Sequence, residues 1–257
     1  MKKIPGKTPA PRAQTSIIPA SRLAPKPVSS LKLVDTRAGR EALLHYFDNT
    51  WALTETLFSA LTSEEAYYLR PYHKTRHPLI FYYAHPVTFY INKLLVAGIL
   101  TEPVNKHFEV LFETGVDEMS WDDLHEGDQS IWPPLQEVVD YRQTVRGIVR
   151  QLIQTHPAFE GPITLDSPGW ALVMCFEHER IHLETSSVLM RELPIQHVRT
   201  PDHWPAVLLR PEPQPNTKPV AGVHYPAQNP MISVAASSVR LGKPRDWPSF
   251  GWDNEYG

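Results

Sequence analysis

Proline decides where this chain can be helical. Of its 26 prolines, Pro5, Pro9, Pro11, Pro19, Pro25 and Pro27 crowd residues 1–30, and Pro201, Pro205, Pro211, Pro213, Pro215, Pro219, Pro226 and Pro230 recur after residue 200. Each lacks the backbone N–H that a helix uses, and its ring clashes with the carbonyl four residues back. Long helices therefore have to form in between. Residues 1–30 also carry Lys2, Lys3, Lys7, Arg12, Arg22 and Lys26 without an acid. Such a stretch buries too little apolar surface to offset its ordering entropy. Residues 1–34 are expected to be a disordered, basic, Pro-rich tail.

Between the two Pro-rich ends the apolar residues repeat at helical spacing. Leu43, Leu44, Phe47, Trp51, Leu57, Phe58 and Leu61 fit a first helix, with Asp35 or Thr36 as its cap. An apolar stretch from Leu79 to Leu100 fits a second, with Pro78 suited to its first turn. A short amphipathic piece follows around Phe108 and Phe112. An acidic connection bearing Trp121 and Trp132 then leads to Pro133 and Pro134. Val138, Tyr141, Val145, Ile148, Val149 and Leu152 predict a third helix that ends at His156 and Pro157. A fourth runs from about Pro168 or Gly169 to Leu193, stopped by Pro194. Four long helices with apolar stripes argue for a mainly α, four-helix bundle. After Pro194 the chain is expected to be partly extended. Residues 231–235 and 238–241 read as short strands. They open either a second domain or an arm wrapped on the bundle.

Composition narrows the function. Lys plus Arg is 25 and Asp plus Glu is 28, a formal charge of −3, which argues against a nucleic-acid binder. No apolar run reaches the roughly 18–20 residues that span a bilayer. Lys2 and Lys3 are followed by Pro5 and Pro9, not by the apolar core of a secretory signal. The single cysteine, Cys175, excludes an internal disulfide framework and fits a reducing, cytoplasmic setting.

The strongest local signal is EHERIHLE, residues 177–184. His178 and His182 are four apart, so both imidazoles leave one face of a helix, one turn apart, and can reach a single metal ion. Glu184 lies roughly 200° around from His182 and is not expected to be a ligand. The competing reading is two polar residues on a solvated face, but Leu172, Val173, Phe176, Ile181, Leu183, Val188 and Leu189 make most of this helix apolar. The same residues contain His-Glu-x-x-His, in which Glu179 would be the general base of a zincin-like metallohydrolase. Glu192 and His197 lie downstream as candidates for its third ligand.

His85 is the candidate third ligand of the His178–His182 pair. It lies among aromatics, where a histidine is often a hydrogen-bonded core residue, but Pro86 is expected to perturb the helix there and re-aim the side chain. Tyr82 and Phe89 would flank it as a dry wall. His73 and His77 share the four-residue spacing but lie in a polar stretch before Pro78. Cys175 could face the same cavity, but a buried inert thiol is the better account of it. Asp117, Glu118, Asp122, Asp123, Glu126 and Asp128 match no calcium loop and read as a solvated connection. Neutral imidazole ligands predict metal loss as pH falls through about 6.

Three motifs in order resemble one enzyme family. FYYAHPVTFYINKLL (residues 81–95), GVDEMSWDDL (115–124) and EHERIHLETSSVLMRELP (177–194) are similar to the N-terminal part of the 5-histidylcysteine sulfoxide synthases of ovothiol biosynthesis. GKPRDWPSFGWDNEYG (242–257) resembles the start of that family's second domain, which is similar to formylglycine-generating enzyme, a sulfatase-modifying factor. The resemblance covers about residues 35–257. It implies a DinB-like four-helix bundle over 35–195, and over 196–257 a linker and the truncated start of the second domain. It implies a non-haem Fe(II) held by His85, His178 and His182. It implies an oxidoreductase that joins the sulfur of cysteine to the imidazole C5 of histidine and oxidises that sulfur, with cysteine, histidine and O₂ as substrates. The family's active-site tyrosine belongs to the part of the second domain not contained here, so no catalytic residue is assigned. The chain is expected to bind metal but to turn over poorly unless a separate chain supplies that domain. A DinB-like thiol transferase using the same histidines with another divalent metal, and a non-catalytic partner-binding bundle, remain open alternatives.

Overall fold

The computed structural model describes residue 31 and residues 39–72, 76–113, 132–204 and 233–257. Four long helices dominate: α1 (Gly39–Phe58), α3 (Leu79–Val96), α5 (Leu135–Thr155) and α6 (Trp170–Arg191). Two short ones, α2 (Glu65–Tyr68) and α4 (Lys106–Leu111), lie in the connections flanking α3. No helix among the described residues is long and apolar enough to cross a membrane.

The four long helices form a ring of neighbours. α1 and α3 each pack against both α5 and α6, and α3 against α6 is the most extensive contact. α3 is buried over nearly its whole length because almost every residue from Leu79 to Leu94 is apolar or aromatic. The core joins Phe47, Trp51 and Phe58 of α1 to Tyr82, Tyr83 and Tyr90 of α3, Val145 and Val149 of α5, and Phe176 of α6. Leu31, within the stretch expected to be a tail, is buried against this core. The rest of 1–34, with Asp35 and Thr36, lies outside the described residues.

α3 stops at Val96, four residues before the predicted Leu100. Gly98 takes a φ of 68°, and the Gly98 and Ile99 N–H groups turn back to the carbonyls of Leu95 and Leu94. Glycine enters this left-handed geometry without a Cβ penalty, so the turn wins over the apolar run that continues past it. Pro86 lies inside α3, and the helix runs through it.

Among the described residues the predicted strands do not form. Residues 233–241 are exposed and unpaired among the described residues, and 231–232 lie outside them. A strand is stabilised by a ladder partner, and the bridges seen are isolated ones, Leu61 with Val198 and Lys243 with Tyr256. Near the end of the chain, Phe250 sets its ring 4.9 Å from that of Trp170 at the start of α6.

Candidate metal centre

α6 and α3 carry the site. His178 and His182, one turn apart on α6, point at α3, where His85 is buried. The His85 Nε2 lies 3.3 Å from the His178 Nε2, which lies 3.2 Å from the His182 Nε2. One ligand atom from each residue can be chosen so that all three fall within 4.8 Å of one another. The three predicted ligands therefore converge.

A second contact sets the tautomer of His85. Its Nδ1 lies 2.6 Å from the carbonyl of Phe112, just past the end of α4. A carbonyl only accepts, so Nδ1 carries the hydrogen and Nε2 presents a bare lone pair to the site. Such outer partners commonly orient metal-binding imidazoles. α4 is placed for this by its own cap. The Asn105 side chain accepts from the Phe108 N–H at 3.1 Å, and Phe108 and Phe112 are buried. The sequence predicted the amphipathic piece but not its role, because a backbone carbonyl leaves no mark in residue identity.

Aromatic rings wall the site. Phe89 stacks on His178 with centroids 3.8 Å apart, Phe81 stacks on His85 at 5.0 Å, and Tyr82 lies 6.0 Å from His182. Tyr82 and Phe89, expected to flank His85, lie chiefly against His182 and His178, and the ring stacked on His85 is Phe81, one turn back on α3. Cys175 is fully buried with its thiol directed at the Phe89 carbonyl, and burial pushes that thiol well up, as suits an inert one.

Burial also keeps the imidazoles neutral. It lowers His85, brings His182 down to about 3 with help from the charges of His85 and Arg76, and lowers His178 further still, with His182, His85 and Lys93 adding to the effect. In the folded state all three imidazoles are thus harder to protonate than a free histidine. The unfolded state gains from this difference. Its imidazoles take protons below about 6.5 while the folded ones stay neutral, so stability falls as pH drops from there, by up to about 1.4 kcal/mol per pH unit for each group. His77, lowered to about 4 by burial, adds to this. Glu179, raised by burial, works with the opposite sign, but it is one carboxyl against four imidazoles. The metal-free protein should therefore unfold at lower urea concentration at pH 5 than at pH 7. Equal midpoints would contradict the buried neutral cluster.

The geometry suits a metal ion. Nitrogens about 2.1 Å from a shared ion sit about 3.0 Å apart at right angles and about 3.4 Å apart at the tetrahedral angle, and the observed 3.2 and 3.3 Å lie between. The protein alone does not satisfy this arrangement. With the His85 proton on Nδ1, the His178 Nε2 has at most one hydrogen to offer two neighbours. A cation at the centre would relieve the facing lone pairs.

The other candidates separate from the site. Glu179 points into the core, where its two carboxylate oxygens accept from the Thr54 hydroxyl at 2.7 Å and the Tyr90 hydroxyl at 2.8 Å. Buried and with both oxygens engaged there, it is not presented to the histidine cluster as the base of a His-Glu-x-x-His hydrolase would be. Glu184 is exposed, as expected of a non-ligand. His197 lies in the turn after α6, and neither it nor Glu192 joins the three-histidine group. His77 packs on Phe81 and Trp132 and is not part of the three-histidine group. Trp132 packs on the body as its connection predicted, stacking on Phe112. His73, Trp121 and the acidic run from Asp117 to Asp128 lie outside the described residues.

A buried ion pair in the core had not been expected from the sequence. Arg142 of α5 is fully buried and meets Glu55 of α1 at 2.7 Å, while the Tyr83 hydroxyl donates to the other Glu55 oxygen at 3.0 Å. Both residues sit in apolar stripes, Glu55 between Trp51 and Phe58 and Arg142 between Val138 and Val145. A charge at such a position demands a buried partner, and that signal was available.

Two comparisons bear on this arrangement. The model of the DinB superfamily matches residues 46–186, a span that contains all three histidines. Over 236 residues the chain is 28% identical to Ergothioneine biosynthesis protein 1 of Neurospora crassa, an alignment covering 88% of this chain and 26% of that protein. The chain thus spans about a quarter of that relative's length.

Proposed function

The chain belongs to the DinB superfamily, and from that premise we propose that it is the metal-binding part of a sulfoxide synthase, holding Fe(II) through His85, His178 and His182. The observation that carries this reading is the convergence of three neutral imidazoles from two helices, with the His85 tautomer fixed by the Phe112 carbonyl. The similarity to a protein of ergothioneine biosynthesis supports the synthase class, and the motifs at residues 81–95, 115–124 and 177–194 support the ovothiol branch, with cysteine, histidine and O₂ as substrates.

The proposed reaction is balanced by one O₂. Joining the cysteine sulfur to the imidazole carbon removes two electrons and two hydrogens, and oxidising the sulfur removes two more electrons. One oxygen atom ends in the sulfoxide and the other in water. Fe(II) would supply the activation of O₂. The chain's own residues would do the rest. Three neutral ligands add no negative charge and leave positions open for substrates. Phe81, Tyr82 and Phe89 exclude water from one side of the centre. The Phe112 carbonyl holds the His85 proton away from it. The buried free thiol of Cys175 fits a reducing compartment, and we propose a cytoplasmic setting.

In this reading the helical bundle holds the metal, and the groups that place both substrates come from a second domain outside the bundle. Anaerobically Fe(II)-loaded protein given cysteine, histidine and O₂ should yield little coupled sulfoxide by mass spectrometry. Product at the rate of an intact synthase would overturn the need for a second domain. Transfer of a thiol group to an electrophile, independent of O₂ and supported best by another divalent metal, would overturn the synthase reading in favour of a DinB-like thiol transferase.

A further inference from the structure

Two ligands on one helix can meet a third on another only if the first helix is held at one angle about its own axis. Much of the contact between α6 and α3 is apolar, with Phe176 and Leu172 packed in a core shared with Tyr90 and Val87. Apolar contact resists separation but is non-directional. A roll of about 20° moves an atom about 6 Å from a helix axis by about 2 Å, roughly ten times the tolerance of about 0.2 Å in a metal–ligand distance. Something directional has to fix the roll.

α6 has such contacts on the side away from its histidines. The Tyr46 hydroxyl donates to Glu177 at 2.6 Å, and Arg180 donates to Thr50 and Asn49 at 2.9 Å each. These all run to α1. Among the described residues, Glu179 is the non-ligand side chain of α6 that hydrogen-bonds to both α1 and α3. One of its oxygens accepts from Thr54, the other from Tyr90, and Tyr90 is on the helix that bears His85. Glu179 is 1% exposed, so neither bond is exchanged for water. It immediately follows His178, so a change in its position is passed directly to a ligand.

We propose that Glu179 is a positioning residue: by tying α6 to Thr54 and Tyr90 at once, it sets the roll of α6 and so aims His178 and His182 at His85. It touches neither metal nor substrate. The proposal deepens the three-histidine reading and rests on it.

The test leaves Glu179 in place and removes its two partners singly and together, so that a folded single variant, read in the same way, decides the matter if the double leaves the buried carboxylate too poorly paired to fold. Thr54→Val and Tyr90→Phe keep shape and delete one hydroxyl each. Co(II) titration of the double variant should show dissociation constants raised about 10- to 100-fold, the usual effect of losing outer partners of a metal site. Its visible absorption bands should shift as the ligand angles change. Ile153→Val, a core change in α5 remote from this network, controls for loss of stability alone and should leave both the affinity and the spectrum unchanged. A folded double variant that binds Co(II) within twofold of wild type, with the same spectrum, overturns the proposal. So does equal weakening in Ile153→Val. If wild type itself binds no Co(II), the three-histidine reading fails and takes the proposal with it, an outcome distinct from the other two.

Discussion

Arg142→Met is expected to destabilise the fold by about 3–5 kcal/mol, a large share of the roughly 5–15 kcal/mol that holds a domain together. The reason is what the change leaves behind. Arg142 meets Glu55 through both Nη2 at 2.7 Å and Nε at 3.2 Å, and it also donates to the Tyr83 carbonyl. Its guanidinium lies 4.0 Å from the Tyr83 ring and 4.5 Å from the Trp51 ring. Methionine fills much of the space but leaves the Glu55 charge buried with the Tyr83 hydroxyl as its remaining donor. Removing both charges is different in kind, since a buried pair and a well-packed apolar replacement are often close in stability. Arg142→Met combined with Glu55→Leu should therefore recover most of the loss. Urea unfolding of the two variants checks this. A cost below about 1 kcal/mol for Arg142→Met, or a double variant worse than the single, would contradict the account.

Metal should stabilise the folded protein strongly and only through the three histidines. A ligand that binds the folded state alone adds about 2.7 kcal/mol at a hundred times its dissociation constant and about 4.1 kcal/mol at a thousand times. Anaerobic Fe(II) in that range should raise the urea midpoint of wild type accordingly. It should leave His178→Ala where it was, because His178 is the nitrogen that faces both of the others. An equal rise in His178→Ala would place the stabilising metal elsewhere on the chain.

The helices were legible because each long one has a stripe that burial demands. α5 and α6 end beside the prolines that sequence reading used as stops, Pro157 and Pro194. Where a local turn competed with hydrophobic pattern, the pattern misled, as at Gly98. The strands failed for a related reason. Residues 231–235 and 238–241 have the composition of short strands, but a ladder needs a partner, and the described residues contain none to pair with. At the site, the residues that act through side chains were visible in their spacing, and His85, His178 and His182 meet as expected. What stayed hidden acts through backbone or through partners distant in sequence. The Phe112 carbonyl has no side-chain signature. Glu179 was read from its motif as a possible base, whereas Thr54 and Tyr90, far from it along the chain, turn it into an interior tie.

The most direct test of the account is anaerobic titration of the purified chain with Fe(II), comparing wild type with His85→Ala, His178→Ala and His182→Ala. The account predicts one tight equivalent in wild type, lost in all three variants while each remains folded. No tight equivalent in wild type, or one that survives the loss of His85, would contradict it.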